Sequence, residues 1–350
     1  MSTDFDQEEI YEIIARVRRR LGGTADAVPE RPRVPAEVPE IEPGEGIHAT
    51  VDAAVNAADR ACAEYQRMGS EIRVAVIDSI RRTMVENAER LAKMACEETG
   101  LGRVEDKTRK NLLVATRTPG PEDLDPIIET GDDGMMLTEM APFGLVGSIT
   151  PTTNPTATII NNAIAILSGG NGAVFNVHPN AKKVSAETVR LLNRAALAVR
   201  APPDLVTTVA VPTIESAQEL MHHPKIEVLL VTGGPGVVRE ALKTDKRAVT
   251  AGPGNPPAVV DETANLEQAG RDIIAGASFD NNIICIDEKE IIVVRSVADE
   301  LIRTMGRNGA RILKEHELKK VERVIFDSMG PPGTRPSRLT TFLRSRSRPE

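Results

Sequence analysis

Apolar strands and helices alternate through the middle of the chain, and this alternation limits the fold more than any other sequence feature. Short apolar runs at 145–149 and 226–231 have the length of buried strands, and each precedes a stretch with helical periodicity. Strands buried on both faces and joined by helices form a parallel sheet with helices on each side. The sequence therefore predicts an α/β fold with a doubly wound parallel sheet. The predicted strands are 145–149, 173–177, 206–211, 226–231 and 291–294, and the predicted helices are 51–65, 72–99, 156–167, 181–199 and 266 to about 277.

Bulk properties exclude several classes of protein. A chain of 350 residues, 41% of them hydrophobic, can bury one or two ordinary cores, and a net charge of −8 argues against a general nucleic-acid binder. The three cysteines, Cys62, Cys96 and Cys285, are far apart and form no C-x-x-C pair, so we expect neither disulfides nor a metal site. No apolar run approaches the roughly 18 residues that span a bilayer, and no signal-peptide core is present. The sequence therefore predicts a cytoplasmic protein that binds no membrane.

The two ends differ from the rest of the chain. Residues 1–22 predict an amphipathic helix, and 23–46 form a linker rich in Pro and Glu that we expect to stay extended. A helix of about 18 residues is marginal alone in water, so its apolar stripe either docks on a partner or folds back on its own domain. Residues 327–350 are rich in Pro, Arg and Ser, which predicts disorder. The stripe consists of Ile10, Ile13, Ile14, Val17 and Leu21.

Cys285 is the strongest candidate for a catalytic residue. It lies on a loop between a predicted helix and a predicted strand, where a thiol and a backbone amide can face the same way. Asn154 follows the strand 145–149 and carries a carboxamide that can stabilise a developing oxyanion. The alternatives are a small buried hydrophobic residue for Cys285 and a turn residue before Pro155 for Asn154.

Four segments carry a resemblance to a known family. The segments 98–107, 232–234, 251–257 and the cysteine loop 276–285 resemble those of aldehyde dehydrogenases, in the same order and spacing. In detail they are most similar to the CoA-acylating acetaldehyde and propionaldehyde dehydrogenases of bacterial microcompartments. The resemblance extends from about residue 46 to about residue 324.

The resemblance implies a Rossmann-type domain at 47–246 that binds NAD, and a partial α/β catalytic domain at 247–326. The turn that starts at Gly233 lacks the usual G-x-G-x-x-G pattern, but the family uses an atypical variant at this point. The residues expected to contact the cofactor are Thr150, Pro151, His178, Pro179, Thr232, Gly233, Gly234 and Gly252.

The same resemblance implies a reaction. Cys285 attacks a small aliphatic aldehyde, hydride passes to NAD, and a thioester remains on the cysteine. Thr250 stands where hydrolytic relatives carry the glutamate that activates water, so the expected acyl acceptor is coenzyme A. A hydrolytic enzyme that uses Glu262 or another acid is the alternative.

The resemblance also bears on partners and on the chain's extent. Residues 3–21 are expected to dock on a microcompartment shell protein, which would put the enzyme inside that compartment, and intact relatives are expected to form homo-oligomers. Family members continue well past residue 324, so we expect a C-terminally truncated chain. A non-catalytic remnant that keeps nucleotide binding and shell docking is the second alternative.

Overall fold

The computed structural model describes residues 41–328 and 337–339. The predicted helix at 1–22, residues 23–40 of the linker and the rest of the C-terminal tail lie outside these residues, so those predictions stay predictions.

A six-stranded, all-parallel sheet is the centre of the fold, as the strand and helix pattern predicts. Its strand order is β1-β6-β5-β4-β7-β8, so the chain winds outward in both directions from β4. These strands are β1 (Ile47–His48), β4 (Leu145–Ile149), β5 (Gly172–Asn176), β6 (Val206–Val209), β7 (Ile226–Thr232) and β8 (Arg247–Ala251).

Helices cover both faces of this sheet. One core joins Ile77, Ile160 and Leu192, while the core on the other face joins Val55 and Leu220. The helices around the sheet are α1 (Val51–Tyr65), α2 (Ser70–Thr99), α3 (Val104–Arg117), α4 (Pro155–Ser168), α5 (Lys182–Ala198), α6 (Ile214–His222) and α7 (Pro235–Leu242).

Local signals explain where these helices begin and end. The Thr50 hydroxyl accepts a hydrogen bond from the Ala53 N–H at 3.2 Å and begins α1, and Gly100 in the left-handed conformation ends α2. Most predicted helices and strands of the sheet match the observed ones to within two residues. Sequence periodicity did not identify α3 or the antiparallel hairpin β2 (Ile127–Gly131) and β3 (Gly134–Thr138).

The end of the linker is packed on the domain, contrary to the expectation that it stays extended to residue 46. Ile41 is buried in the core, and both oxygens of the Glu45 carboxylate accept hydrogen bonds from Arg194 at 2.7 and 2.8 Å. An apolar side chain and an acidic one therefore anchor residues 41–46, although their surroundings are rich in proline.

A smaller parallel pair, β9 (Pro257–Val260) and β10 (Glu290–Val293), follows the main sheet. It packs with α8 (Leu266–Ser278) and α9 (Arg295–Arg307) around Val260, Ile273 and Leu301. Because β8 belongs to the main sheet, the predicted domain boundary at 246/247 falls before the sheet's last strand.

The chain's described C-terminal part holds α10 (Glu315–Ile325) and two short strands. β11 (Phe326–Ser328) pairs antiparallel with β12 (Ser337–Leu339), so the expected disorder of 327–350 does not describe these strands. A shortage of apolar residues removes the hydrophobic driving force for a core. It does not prevent backbone hydrogen bonds between nearby segments. Among the residues that the structure covers, none of the helices combines the length and apolar character needed to cross a bilayer.

Candidate active site

The carboxyl edge of the main sheet brings the predicted cofactor residues together. Thr150 and Pro151 follow β4, His178 and Pro179 follow β5, Thr232 ends β7 before Gly233 and Gly234, and Gly252 follows β8. The Thr150 N–H donates to the Asn176 carbonyl at 3.3 Å, and the Gly233 N–H donates to the Ala251 carbonyl at 3.1 Å. Ligands bind at this edge of a parallel sheet, beside the point where the strand order reverses. The order β5-β4-β7 places that point beside β4.

Polar atoms at this edge fit a nucleotide. The buried Thr150 and Thr152 hydroxyls lack a hydrogen-bond partner within the described residues. Gly234 precedes the first turn of α7, no side chain caps that turn, and a methyl group at Gly234 would meet open space. His178 accepts the Asn180 N–H on Nδ1 at 3.1 Å, and burial lowers its pKa.

The cysteine loop has an unusual backbone conformation. Asp280, Asn281 and Asn282 all have positive φ values, 46°, 57° and 58°, which residues other than glycine rarely adopt. Such strain persists only where surrounding contacts hold it. The Asn282 carboxamide donates to the Ala277 carbonyl at 2.8 Å, and the Asp280 N–H donates to the Asp106 carboxylate at 3.0 Å.

Asn154 lies against this loop. Its Nδ2 donates to the Ile283 carbonyl, two residues before Cys285, at 3.4 Å. Cys285 is half-buried, and its carbonyl oxygen packs so closely on Gly254 that a methyl group there would overlap it. The structure therefore places Asn154 against the loop that carries Cys285, with Gly254 of the segment 251–257 next to that cysteine.

A buried charge cluster, which the sequence pattern does not indicate, joins α3 to the cysteine loop. The Asp280 carboxylate is fully buried, forms ion pairs with Lys107 at 3.1 Å and with Lys110, and accepts the Arg103 N–H at 2.6 Å. Lys110 also donates to Asn154 Oδ1 at 2.5 Å. We call Lys107, Lys110 and Asp280 the lysine–aspartate cluster.

The surroundings of Lys110 shift its pKa. Burial and the nearby Lys107 charge lower the pKa of Lys110 to about 8, although contact with Asp280 acts in the opposite direction. Its neighbour Asp287 is buried, and burial raises the pKa of that carboxyl. The signal for this cluster was the spacing of Asp106, Lys107, Lys110 and Asn111 on one helix face, which usually indicates a solvated surface but here is buried.

Three positions bear on whether the site can activate water. Thr250 lies on β8 and pairs with Val231 of β7. Glu262 is exposed in a turn after β9. Asp287 is the buried carboxyl nearest to Cys285 in sequence, and its Oδ2 has no hydrogen-bond partner within the described part.

A parallel sheet with a cysteine loop and an asparagine carboxamide at its carboxyl edge defines an α/β protein of the nucleotide-binding type. The family model described as "Aldehyde dehydrogenase family" matches residues 36–320. The chain belongs to the aldehyde dehydrogenase family, which confirms the predicted family and fold. The matched region includes Asn154 and Cys285, so the similarity does not favour a non-catalytic remnant.

Individual relatives have names that agree with the resemblance. The chain is 45% identical to propanal dehydrogenase (CoA-propanoylating) of Salmonella typhimurium, over 84% of this chain and 64% of the relative. It is 49% identical to acetaldehyde dehydrogenase (acetylating) EutE of the same species, over 82% of this chain and 62% of the relative. The chain thus spans less than two thirds of the length of these relatives.

Solved structures give the same result. Propionaldehyde dehydrogenase of Rhodopseudomonas palustris, with bound CoA and an acylated cysteine, has a TM-score of 0.78 and 45% identity, covering 81% of this chain and 65% of that one. A propionaldehyde dehydrogenase from the fucose utilisation microcompartment of Clostridium phytofermentans has a TM-score of 0.79 and 40% identity, covering 86% of this chain and 67% of that one.

Proposed function

We propose that this chain acts in the oxidation of a small aliphatic aldehyde, acetaldehyde or propionaldehyde, to an acyl-CoA. The observation that carries the proposal is the contact between the Asn154 carboxamide and the loop of Cys285. The names of relatives at 45% and 49% identity, which are CoA-propanoylating and acetylating dehydrogenases, support it.

Cys285 and Asn154 would act on the aldehyde itself. The thiolate forms a C–S bond to the carbonyl carbon, and the carbonyl oxygen becomes an oxyanion. The Asn154 Nδ2 and the Cys285 N–H then donate hydrogen bonds to that oxyanion. Loss of one such donor typically costs about 2.7–4 kcal/mol of transition-state stabilisation.

NAD would bind at the carboxyl edge of the sheet, on the threonine hydroxyls after β4 and the uncapped N-terminus of α7. When bound, it supplies the acceptor for the hydride that leaves the substrate carbon. The residues that would hold it are the predicted ones, Thr150, Pro151, His178, Pro179, Thr232, Gly233, Gly234 and Gly252. A solved relative at 45% identity carries bound NADP+, which supports a nicotinamide site in this family fold.

Coenzyme A would accept the acyl group. Its thiolate attacks the thioester carbon, and the Cys285 thiolate leaves, so no water needs to be activated. Thr250 has no group that can act as a base, which favours a thiol acceptor. A hydrolytic reaction is the second candidate, because the buried Asp287 carboxyl lies two residues after Cys285.

The predicted partners extend this proposal. Residues 3–21 would dock on a microcompartment shell protein and so carry the enzyme into the compartment, and the chain would associate into a homo-oligomer. The origin of the Clostridium phytofermentans structure in a microcompartment supports the location.

The test measures NADH and propionyl-CoA formed from propionaldehyde and NAD, with and without CoA, for the wild type and for Cys285→Ala. We expect equal amounts of both products with CoA, little NADH without it, and neither product from the variant. NADH formed equally well without CoA would favour the hydrolytic candidate. Full activity of Cys285→Ala would contradict the proposed nucleophile.

A further inference from the structure

Lys110 contacts the oxygen of the Asn154 carboxamide. Lys110 Nζ lies 2.5 Å from Asn154 Oδ1, and an ammonium group has only hydrogen-bond donors. It therefore cannot face the amide nitrogen, and the contact turns Nδ2 to the opposite side. There Nδ2 donates to the Ile283 carbonyl of the cysteine loop at 3.4 Å and to the Thr153 hydroxyl at 3.2 Å.

Lys110 is itself held firmly in place. It is buried and forms an ion pair with Asp280, which also binds Lys107 at 3.1 Å and the Arg103 N–H at 2.6 Å. A buried ion pair with additional hydrogen bonds is rigid, because moving either charge would leave the other without compensation. Lys110 thus joins the Asn154 loop to the loop that carries Cys285.

We propose that Lys110 is a positioning residue that presents the Asn154 carboxamide as a donor to the oxyanion formed at Cys285. The inference rests on the proposed function. The positive charge of Lys110 also polarises the Asn154 carboxamide and makes the Nδ2 hydrogens stronger donors in a site of low dielectric. Without Lys110 only the Nδ2 hydrogen bonds to the Ile283 carbonyl and the Thr153 hydroxyl would orient the carboxamide, and any rotation would turn toward the oxyanion an oxygen that repels it.

Lys107 is a natural control for this role. It lies one helical turn earlier on α3, is equally buried and shares the Asp280 partner, but its second contact is the Thr153 carbonyl at 2.8 Å. Breaking the cluster at either lysine disturbs Asp280. Of the two lysines, Lys110 contacts the Asn154 carboxamide oxygen, whereas Lys107 holds the carbonyl of the preceding residue.

The experiment measures CoA-dependent NADH formation by the full chain and its variants. The single variants are Lys110→Met, Lys110→Arg, Lys107→Met and Asn154→Ala. A fifth protein combines Lys110→Met with Asn154→Ala. We expect Lys110→Met to lower kcat by about 10²-fold, the size of losing an oxyanion donor, with little change in the KM for aldehyde. Lys110→Arg should recover most of this loss. Lys107→Met should lower thermal stability by about as much as Lys110→Met does, but it should lower kcat much less.

The double variant gives the sharpest result. If Lys110 acts through Asn154, the double variant is no slower than Asn154→Ala alone. Multiplying losses, or equal kcat losses for the two lysine variants, would overturn the inference while leaving the proposed function in place. A wild type that forms no acyl-CoA would instead overturn the proposed function, and this inference with it.

The rate at which iodoacetamide alkylates Cys285 separates an effect on the thiol from one on the oxyanion. Alkylation forms no oxyanion, so we expect Lys110→Met to leave this rate within about twofold of the wild type. A drop as large as the drop in kcat would mean that Lys110 acts on the thiol instead, and would overturn the inference.

Discussion

Three cysteines share this chain, and their surroundings differ in a way that bears on reactivity. Cys62 is buried and its Sγ donates to the Gly144 carbonyl at 3.5 Å, while Cys96, near the end of α2, is half-buried like Cys285. Burial raises the pKa of both thiols and so lowers their thiolate fraction. Cys285 is half-buried on a loop at the edge of the sheet.

Iodoacetamide at neutral pH should therefore modify Cys285 first. We expect Cys62 to react only after denaturation because it is buried, and Cys96 to react more slowly than Cys285 because burial raises the pKa of the Cys96 thiol. Mass spectrometry of tryptic peptides over time would measure this, with Cys285→Ala as the control. Equal labelling of all three cysteines in the native protein would refute an exposed, activated nucleophile.

The pKa of Lys110 predicts a stability change at alkaline pH. Its value in the folded protein, about 8, is lower than the roughly 10.4 of an unfolded lysine. Between these two values the unfolded state binds more protons, so the free energy of unfolding contributed by this group rises with pH. We expect the wild type to gain on the order of 2 kcal/mol relative to Lys110→Met between pH 7.5 and pH 10.

Urea denaturation of the wild type and of Lys110→Met at both pH values would measure this gain, since the other titrating groups are common to the two proteins. A difference in the free energy of unfolding that stays constant with pH would contradict the buried, charged state of Lys110.

At the scale of elements, the cysteine loop is a strained connection that its neighbours hold in shape. Gly102 has a φ of +74° and a methyl group there would overlap the Asp280 carboxylate, while Gly254 leaves room for the Cys285 carbonyl. Two glycines on separate segments thus allow close approach to the same loop. The loop, rather than a helix or strand, carries the proposed nucleophile.

Gly254→Ala should lower CoA-dependent NADH formation at least tenfold, because the added methyl group displaces the Cys285 backbone. Gly306, exposed on α9 with open space around its Cα, is the matched control. We expect Gly306→Ala to leave the activity unchanged and to stabilise the helix by about 0.5 kcal/mol. Steady-state rates and thermal denaturation of both variants would measure these effects, and an unchanged rate for Gly254→Ala would contradict the close contact.

Much of this organisation was predictable from the sequence. Periodicity identified the helix at Val51–Tyr65 and the strand at Leu145–Ile149 because their apolar patterns are regular. The lysine–aspartate cluster was not predictable, because charges spaced along one helix face usually indicate solvent and their burial depends on a loop about 170 residues away. The packing of Ile41 was missed since a single apolar residue in a proline-rich segment carries too weak a pattern.

At the scale of the whole molecule, the main sheet and the smaller β9–β10 pair contribute different parts of the candidate site. Asn154 follows a strand of the main sheet, and Cys285 precedes β10. The lysine–aspartate cluster connects the two through α3. The geometry at Cys285 therefore depends on both parts being folded together.

The N-terminal helix predicted at 1–22, outside the described residues, would direct this molecule to a shell. A fusion of residues 1–23 to a fluorescent protein should enter a microcompartment, and Ile13→Glu with Val17→Glu should prevent entry by charging the apolar stripe. Arg18→Glu, off that stripe, is the control. Fluorescence microscopy of cells that form the shell would measure this, and unchanged localisation of the double variant would rule out docking through the stripe.

Cys285 is proposed to carry an acyl group that passes to CoA. Mass spectrometry of the protein after incubation with propionaldehyde and NAD, with CoA omitted, tests it most directly. We expect a propionyl group on the peptide that contains Cys285, and its transfer to added CoA in equal amount as propionyl-CoA. An unmodified Cys285, or release of the group as propionate at the same rate without CoA, would contradict the account.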